Sequence, residues 1–401
     1  MPENAKQETK AGGLLFSTAQ GGHHESYLMA QLTYSEAFKS CHLSMPTPFE
    51  EFSPEFRVFL GKIGFPRERL LCGDGRNRNS VRSWVRRLAR DIGKLERGAP
   101  VYVTYVDNQR LAALVLFAMA GTKLSALHFR LKYPVWSEAK TFREKFRAAS
   151  EVVLCTAFCL FGGRLLVFDE RAYERLRGRL GRFSERVYLC PDPVDCGEND
   201  AGVRTGDGGR QPREDRKEIL IFGVIDRRKG GRYLHAAMEK ISEAARRHLR
   251  LKIVGPVNQE YRSDLDKLVE RAQSLNIDVC LEGRHISQNE CQRYFEETDI
   301  VYAAYEGHVG MSSILVRAAC AGRPVIAWAD GLIGYVTEKH LLGVSVPAGD
   351  VGALAGALEK LALASPIDGF REEAAVQFGR DNSPRAFARV TERAFLSRTR
   401  D

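Results

Sequence analysis

The chain has 401 residues, of which 44% are hydrophobic and 28% are charged. This is an ordinary composition for a soluble globular protein, and the length predicts two domains rather than one core. Charge is uneven, because residues 1–195 hold 30 Lys and Arg against 21 Asp and Glu, whereas residues 196–401 hold 30 of each. The basic first half favours a phosphate-bearing substrate, an anionic membrane face or nucleic acid as partner. A solvated, arginine-rich helix face explains it equally well.

Several classes of protein are disfavoured by pattern. The longest apolar runs, 111–121 and 152–163, are shorter than the roughly 20 residues of a membrane span, and no apolar segment follows the polar N-terminus as in a secretory signal. The nine cysteines form no C-x-x-C motif, so we expect reduced thiols rather than disulfides or zinc, and histidine spacing predicts no metal site. Basic runs without interleaved aromatics argue against nucleic-acid binding. We expect a cytoplasmic protein, either free or peripheral at the inner membrane face.

The first half of the chain predicts an α/β domain with irregular spacing. Its first strand precedes the glycine-bearing loop Q-G-G-H-H and a helix, and another clear helix lies at L-A-A-L-V-L-F-A-M-A. Short, mostly apolar runs predict the strands. These strands are 14–19, 101–106, 123–129, 164–170 and 187–196.

The second half predicts regular β-α units. Near-continuous apolar strands alternate with helices near 231–247, near 258–275, after Ser287 and after Asp350. Ser287 with Glu290 has the spacing of a capping box, and Asp350 is a predicted N-cap. Such repeated units are typical of a parallel sheet covered by helices on both faces. The predicted strands are 218–225, 251–256, 277–283, 299–305, 324–330 and 343–349.

The predicted organisation is therefore two doubly wound, Rossmann-like domains. Residues 1–196 form the first, the glycine-rich segment 197–217 is a linker or surface loop, and residues 218–380 form the second. A last helix within 381–401 crosses back to the first domain. Doubly wound sheets bind ligands at the carboxyl ends of their strands, so we expect both sets of strand ends to face one cleft.

Two segments of the second half are candidate anion sites. After Gly223, the basic loop that contains Arg228 and Lys229 can neutralise a diphosphate. Farther along, residues 310–313 (Gly310, Met311, Ser312 and Ser313) open a short helix whose N-terminal N–H groups and dipole favour negative charge. Taken singly, an exposed basic turn and a purely structural N-cap explain these segments as well.

Six segments stand in one register: F-G-V-I-D-R-R-K-G-G, L-K-I-V-G-P, I-D-V-C-L-E-G, D-I-V-Y-A-A-Y-E-G, R-A-A-C-A-G-R-P-V-I-A and G-V-S-V-P-A-G-D. Together they make residues 218–365 resemble the C-terminal domain of GT-B glycosyltransferases of the group-1 type, family four. Residues 378–393 are similar to that family's last helix. In the first half the likeness is looser and includes Gly21-Gly22, His128 and the exit V-Y-L-C-P-D-P-V-D.

The resemblance implies transfer of a sugar from a nucleotide-diphospho-sugar, with retention of configuration and without metal or other cofactor. It implies that Arg228, Lys229 and residues 310–313 hold the diphosphate on the second domain. The acceptor, a glycan, glycolipid or metabolite, would occupy the first domain. From charge alone, that basic domain fits an acceptor that is phosphate-bearing or membrane-held. There the cleft loop (Gly21, Gly22 and His23) and the candidate catalytic residue His128 would lie near it, and a purely structural His128 is an equal alternative.

The family's two glutamates, eight positions apart, are replaced here by Val309 and Arg317. Glu306 and His308 are the candidate catalytic substitutes. The basic loop carries Val224 where the family has an arginine, and Tyr335 stands where a glutamate is frequent. The nucleotide pocket predicted by the resemblance contains Gly223, Arg317 and Glu338.

Arg317 leaves the activity open, because an arginine has only donors and cannot accept from a ribose hydroxyl. It fits an additional phosphate on the donor, a rewired pocket or a structural ion pair. The alternative function is a degenerate GT-B protein that binds a sugar or phosphosugar, or scaffolds a partner, without catalysis. Epimerisation or phosphorolysis on the same fold is a weaker alternative, since the paired acidic residues it uses are not evident.

Overall fold

The computed structural model describes residues 12–21, 23–75, 80–128, 131, 141–197, 216–308, 310–363 and 367–397. The chain divides into two compact units: unit 1 comprises residues 1–193 and 384–401, and unit 2 comprises residues 194–383. Nearly all of the predicted linker, 198–215, lies outside the described residues. Within the described residues, none of the helices has the length and apolar character needed to cross a membrane.

In unit 1 the described residues contain a seven-stranded parallel sheet in the order β3-β2-β1-β4-β5-β6-β7. Its strands are β1 (Leu14–Ser17), β2 (His42–Met45), β3 (Leu70–Cys72), β4 (Val101–Val106), β5 (Leu124–His128), β6 (Arg164–Val167) and β7 (Val187–Leu189). The helices between these strands are α1 (His23–Tyr34), α2 (Glu36–Lys39), α3 (Pro54–Lys62), α4 (Val81–Ile92), α5 (Asn108–Met119), α6 (Phe142–Leu160) and α7 (Glu170–Leu180). Two apolar clusters bury the two faces of the sheet, as expected for a doubly wound domain.

In unit 2 the described residues contain a six-stranded parallel sheet in the order β10-β9-β8-β11-β12-β13. Its strands are β8 (Lys217–Phe222), β9 (Leu249–Val254), β10 (Asp278–Glu282), β11 (Ile300–Ala303), β12 (Val325–Trp328) and β13 (Gly343–Val346). The helices are α8 (Gly231–Met238), α9 (Glu243–Arg247), α10 (Arg262–Ser274), α11 (Gln288–Glu297), α12 (Ser313–Cys320), α13 (Gly331–Lys339), α14 (Val351–Leu363) and α15 (Glu372–Asp381). Both faces of this sheet are also buried.

Local sequence signals determine where several of these helices begin. The Ser287–Glu290 capping box is confirmed at the start of α11, and the Asp350 carboxylate accepts from the Ala353 N–H at 2.9 Å, as predicted for α14. The predicted helix 231–247 is interrupted, because Ser242 caps a separate short helix, α9. Strand β8 begins at Lys217, one residue inside the predicted linker.

The last helix, α16 (Pro384–Leu396), belongs to unit 1. The Ser125 hydroxyl of β5 donates to the Ala394 carbonyl at 2.9 Å, and Ser35 donates to the Glu392 carboxylate at 2.7 Å. Phe395 is 2% exposed. These contacts attach the C-terminal helix to parts of unit 1 that lie more than 250 residues earlier in the chain.

Candidate functional site

The basic loop after β8 is held in shape by its own acidic residue. Asp226 caps a single turn of 3₁₀ helix at 227–229, since its carboxylate accepts from the Arg228 N–H at 3.0 Å. The Arg228 guanidinium returns to the same carboxylate, with Nη2 2.8 Å from Oδ2. Arg228 remains 63% exposed in its side chain, so its remaining N–H groups face solvent.

Lys229, the next residue, is buried. Its ammonium Nζ donates to the Phe222 carbonyl at 2.6 Å and to the Tyr305 hydroxyl at 3.0 Å, and it lies 4.2 Å from the centre of the Tyr305 ring. Burial lowers the pKa of Lys229 to about 7, against the opposing effect of Asp226. A lysine with this pKa changes its charge readily when an anion approaches.

A second loop, which follows β11, packs against the basic loop. The Glu306 N–H donates to the Arg228 carbonyl at 2.8 Å. Arg232 of α8 forms an ion pair with the Glu306 carboxylate, through Nε at 3.0 Å and Nη2 at 2.8 Å. Gly230 permits this approach, because a Cβ there would lie 2.4 Å from the Ala304 carbonyl oxygen. The predicted substitute carboxylate is therefore fixed beside the basic loop.

Tyr305 joins the basic loop to the start of α12. Its hydroxyl accepts from Lys229 and is also hydrogen-bonded to the Ser312 side chain. Ser312 is the residue before the first helical residue, Ser313. His308 packs edge-on against the Tyr305 ring, with centroids 5.8 Å apart, and its Nε2 lies 3.3 Å from the Met311 carbonyl oxygen. Lys229, His308 and the N-terminus of α12 thus converge on one tyrosine.

This arrangement suits an anion with several oxygens. It combines one buried ammonium, one exposed guanidinium and the N-terminal N–H groups of α12, which have no carbonyl partner within the helix. The two carboxylates nearby are already paired, Asp226 with Arg228 and Glu306 with Arg232. The predicted diphosphate residues Arg228, Lys229 and 310–313 are brought together, with Gly310 and Met311 in the turn before α12.

Arg317, predicted for the nucleotide pocket, is 7% exposed and donates through Nη1 to the Asp195 carbonyl at 3.2 Å. One turn later on α12, Cys320 forms a disulfide with Cys196, with Cα atoms 6.4 Å apart. The prediction that all nine cysteines are reduced is therefore wrong for this pair. Both contacts fasten the first residues of unit 2 to the side of α12.

The two other residues predicted for the nucleotide pocket, Glu338 and Gly223, differ in their surroundings. Glu338 is an exposed residue of α13 whose carboxylate accepts from the Ser345 hydroxyl. Gly223 has φ +100° and lies beside Lys229, since a Cβ on Gly223 would fall 3.3 Å from the Lys229 Nζ. Val309, the position of a family glutamate, lies outside the described residues.

In unit 1, His128 ends β5 and is 2% exposed. Its Nε2 lies 3.2 Å from the Asn108 side-chain oxygen, and the Asn108 amide donates to the buried Glu151 carboxylate at 3.0 Å. Burial lowers the pKa of His128 to about 4, although Asp107 opposes the shift. His128 is therefore neutral at pH 7.

The predicted loop after β1 is only partly described. Gly21 has φ +77°, and its carbonyl accepts from the His24 N–H at 3.2 Å where α1 begins. Gly22 and the side chain of His23 lie outside the described residues. In the described part of the chain, no group of three or more His, Cys, Asp or Glu side chains is placed to hold a metal ion.

Sequence reasoning missed three residues of this site: Asp226, Arg232 and Tyr305. Asp226 and Arg232 belong to a charged run in which no pattern distinguishes a capping carboxylate from a solvated one. Tyr305 closes an apolar run that predicts only a buried strand end. The available signal was a phenol at the carboxyl end of a central parallel strand, since a buried tyrosine hydroxyl needs a hydrogen-bond partner.

Comparison with known proteins supports the predicted family resemblance. Residues 216–363 match the model of the family described as Glycosyl transferases group 1, which confirms the resemblance predicted for the second half. No curated protein matches the chain.

Solved structures resemble the whole chain. Anabaena Alr3699/HepE in complex with UDP has 12% identity over 94% of this chain and 97% of that one, with a TM-score of 0.62. WaaG, a glycosyltransferase involved in lipopolysaccharide biosynthesis, has 14% identity over 96% and 100%, with a TM-score of 0.61. A glycosyltransferase from Rickettsia africae ESF-5 has 12% identity over 96% and 99%, with a TM-score of 0.63. These likenesses confirm the predicted GT-B fold of two α/β domains.

Proposed function

We propose that the chain is a glycosyltransferase that moves a sugar from a nucleotide-diphospho-sugar to an acceptor, with retention of configuration and without a metal. The observation that carries this proposal is the convergence of Lys229 and the α12 N-terminus on Tyr305. The family match of residues 216–363 supports glycosyl transfer. The similar Anabaena structure in complex with UDP supports a nucleotide donor.

Catalysis in this proposal is electrostatic. As the glycosidic bond to the diphosphate breaks, negative charge grows on the leaving oxygens. Lys229, Arg228 and the first N–H groups of α12 are fixed donors for that charge and need no metal ion. The Phe222 carbonyl and the Tyr305 hydroxyl hold the Lys229 ammonium before the donor arrives, so little reorganisation is required when charge develops.

Glu306 and His308 are proposed to face the transferred sugar in place of the family's missing carboxylates. Arg232 holds the Glu306 carboxylate, and His308 rests on Tyr305. On unit 1, neutral His128 is proposed to exchange hydrogen bonds with a hydroxyl without adding charge.

A panel of UDP-, GDP-, ADP- and dTDP-sugars tests the proposal. Each is titrated against the protein by calorimetry and then assayed for donor hydrolysis and for transfer to mixed acceptors. Turnover of one nucleotide sugar, with product of retained configuration and undiminished activity in EDTA, is the expected result. Failure of every nucleotide sugar and free nucleotide to bind would contradict the proposal.

The second candidate is a degenerate GT-B protein that binds a nucleotide sugar or phosphosugar without transfer. It is favoured by two observations: the Glu306 carboxylate is already paired with Arg232, and an arginine, Arg317, stands where the family has a carboxylate. Saturable binding without turnover supports this candidate. If the chain is an enzyme, Glu306→Gln should lower turnover about tenfold or more and leave the Kd of UDP within twofold. The reason is that the carboxylate would act on the sugar and not on the diphosphate.

We also propose that the protein lies against an anionic membrane surface through α6. The residues Phe142, Phe146, Val153 and Leu160 are 85%, 67%, 65% and 47% exposed. They recur on one side of the helix, at offsets of 4, 11 and 18 from the first, so they form a continuous apolar stripe. Exposed cations flank this stripe in the N-terminal turns of α6: Arg143, Lys145 and Arg147. An apolar stripe beside basic side chains is typical of interfacial membrane binding.

Flotation with vesicles tests this surface. Vesicles rich in phosphatidylglycerol should retain the protein, and phosphatidylcholine vesicles should retain much less. Phe142→Glu with Phe146→Glu should abolish retention, whereas Val58→Glu, at a position of α3 that is 57% exposed, should not. Equal retention of the double variant and the control would contradict the proposal.

A further inference from the structure

Unit 1 contains a cavity of about 390 Å³ that the proposed donor site does not involve. It lies where β2 and β3 end, next to Pro46 and Cys72, and α4 forms its other wall. Gly73 lets the two strand ends meet, because a Cβ there would lie 2.4 Å from the Pro46 carbonyl oxygen. The carboxyl edge of a parallel sheet is where doubly wound domains bind ligands.

The lining of this cavity, called here the arginine pocket, is cationic. Three arginines of α4 line it: Arg86, Arg87 and, about one turn later, Arg90. Ser83 of the same helix also lines it, and Asp74 is the opposing carboxylate. The formal charge of these side chains is +2. Arg86 and Arg90 are exposed, and about half of the Arg90 side chain stays accessible although its Nε pairs with the buried Asp91 carboxylate.

Arg87 is fixed and desolvated. Its Nη1 donates to the Ser44 hydroxyl at 2.7 Å, and its Nη2 donates to the Ser17 carbonyl, both neutral oxygens. Arg87 contacts the Asp91 carboxylate through Ser44, which donates to it at 2.7 Å, whereas Arg90 pairs with the same carboxylate directly, with Nε 2.8 Å from Oδ1. Burial lowers the pKa of Arg87 to about 10. A guanidinium in these surroundings gains stability when an anion enters the cavity beside it.

We propose that the arginine pocket binds the phosphate monoester group of the acceptor. This inference rests on the proposed glycosyl transfer and specifies its second substrate. A phosphate monoester carries a charge of about −1.5 to −2 at pH 7 and three strong acceptor oxygens, which matches a net +2 and three guanidinium groups. The cavity volume also falls within the range of small-molecule sites, which leaves room for part of the molecule that bears the phosphate.

The pocket is poorly suited to the other anionic partners of a basic domain. A single-stranded nucleic acid needs open aromatic faces on which bases can stack. The aromatic side chain of the lining, Trp84, is 2% exposed and packs edge-on against Phe16, with ring centroids 5.6 Å apart. A single carboxylate is satisfied by one arginine fork and would leave the remaining charge uncompensated.

Titration of the full-length protein with inorganic phosphate, followed by ³¹P NMR line broadening, tests the site directly. The variant Arg86→Gln/Arg90→Gln removes two exposed charges from the pocket. The matched control Arg82→Gln/Arg177→Gln removes two exposed charges of unit 1 that do not line it. We expect phosphate to bind at least tenfold more weakly to the pocket variant and within twofold of wild type to the control. Equal weakening in both variants, or none in either, would overturn the proposal.

Competition identifies the molecule that carries the phosphate. Displacement of inorganic phosphate by glucose 6-phosphate indicates a soluble acceptor, and displacement by phosphatidic acid vesicles alone indicates a lipid; either result supports the proposal. Equal displacement by phosphatidylglycerol vesicles, which carry no phosphate monoester, would overturn it. UDP is omitted from these titrations, so a failure of donor binding cannot mimic either outcome. Calorimetry with UDP on the same variants tests the proposed donor site separately.

Discussion

Each unit places one desolvated cation at the carboxyl edge of its sheet, with the same kinds of partner. In unit 2, Lys229 donates to the carbonyl of Phe222, the last residue of β8, and to the Tyr305 hydroxyl. In unit 1, Arg87 donates to the carbonyl of Ser17, the last residue of β1, and to the Ser44 hydroxyl. Both side chains are held by neutral oxygens, and in both cases burial lowers the pKa.

The two cations differ in what they do near pH 7. Burial brings the pKa of Lys229 to about 7, so its charge responds to the ligand. Arg87, with a pKa lowered to about 10, stays charged throughout the physiological range. In the proposed donor site, a bound diphosphate would therefore favour the protonated form of Lys229, whereas the arginine pocket is permanently cationic. Choosing lysine or arginine at equivalent places thus sets whether a site titrates.

The largest expected effect is the loss of the unit 2 cation. Lys229→Met keeps the length of the side chain but removes the charged donor, and it should weaken UDP binding about 100-fold. The matched control, Lys240→Met, removes an exposed lysine just after α8 and should bind UDP within twofold of wild type. Calorimetric Kd values make the comparison. A threefold change or less in Lys229→Met would show that Lys229 is not the diphosphate ligand.

His128 extends the comparison to a buried base that is already neutral. Its pKa in the folded chain is about 4, below the 6.5 of an unfolded histidine. The unfolded chain therefore takes up a proton first as the pH falls, and the stability that neutral His128 contributes at pH 7 is lost between about 6.5 and 4. This group alone should cost about 2 kcal/mol of unfolding free energy at pH 5.

Urea denaturation at pH 7 and pH 5 measures that loss. His128→Gln should be about 2 kcal/mol less sensitive to the change of pH than wild type. His235→Gln, on a side chain that is 38% exposed, should retain the wild-type sensitivity. Identical pH sensitivity in wild type and His128→Gln would contradict a buried, neutral His128.

The pH dependence of donor binding sharpens the contrast between lysine and arginine. A bound diphosphate favours protonated Lys229, so UDP binding should take up a proton above pH 7, and the affinity should fall by up to about tenfold per pH unit. The UDP phosphates are fully ionised there, since their last pKa is about 6. Lys229→Arg should bind with little pH dependence. Kd values at pH 7, 8 and 9, with calorimetry in buffers of different ionisation heat, measure both. A flat wild-type profile would contradict the lowered pKa.

The same two regions differ in how far the sequence predicts them. All six strands of unit 2 follow from apolar runs bounded by glycine or proline, and their order was recognisable as a family pattern. In unit 1, β2 and β3 have only four and three residues, and β2 includes polar His42 and Ser44. Runs this short have no measurable period. Since the arginine pocket lies where these two strands end, it could not be predicted either.

Within the proposed donor site, sequence predicts the charges but not their partners. Lys229 and residues 310–313 stood out because a basic loop and a helix start are local patterns. The role of Tyr305 depends on a loop 76 residues away meeting its hydroxyl. The Cys196–Cys320 disulfide spans 124 residues, and no spacing rule relates cysteines at that distance. Contacts between distant segments are fixed by packing of the whole sheet, which a local pattern does not contain.

Arg317 provides the smallest effect and the sharpest contrast with Arg87. Both arginines donate to a backbone carbonyl, but the buried Arg317 fastens Asp195 to α12, whereas the partly buried Arg87 lines a cavity. Arg317→Met should therefore cost about 1 kcal/mol of stability and leave the Kd of UDP within twofold. The matched control is Arg323→Met, because Arg323 also donates to a carbonyl, that of Glu296 at 2.7 Å. A tenfold loss of UDP affinity specific to Arg317→Met would instead place Arg317 in the nucleotide pocket. An arginine whose role is to anchor residues 194–197 would not change the affinity for the nucleotide.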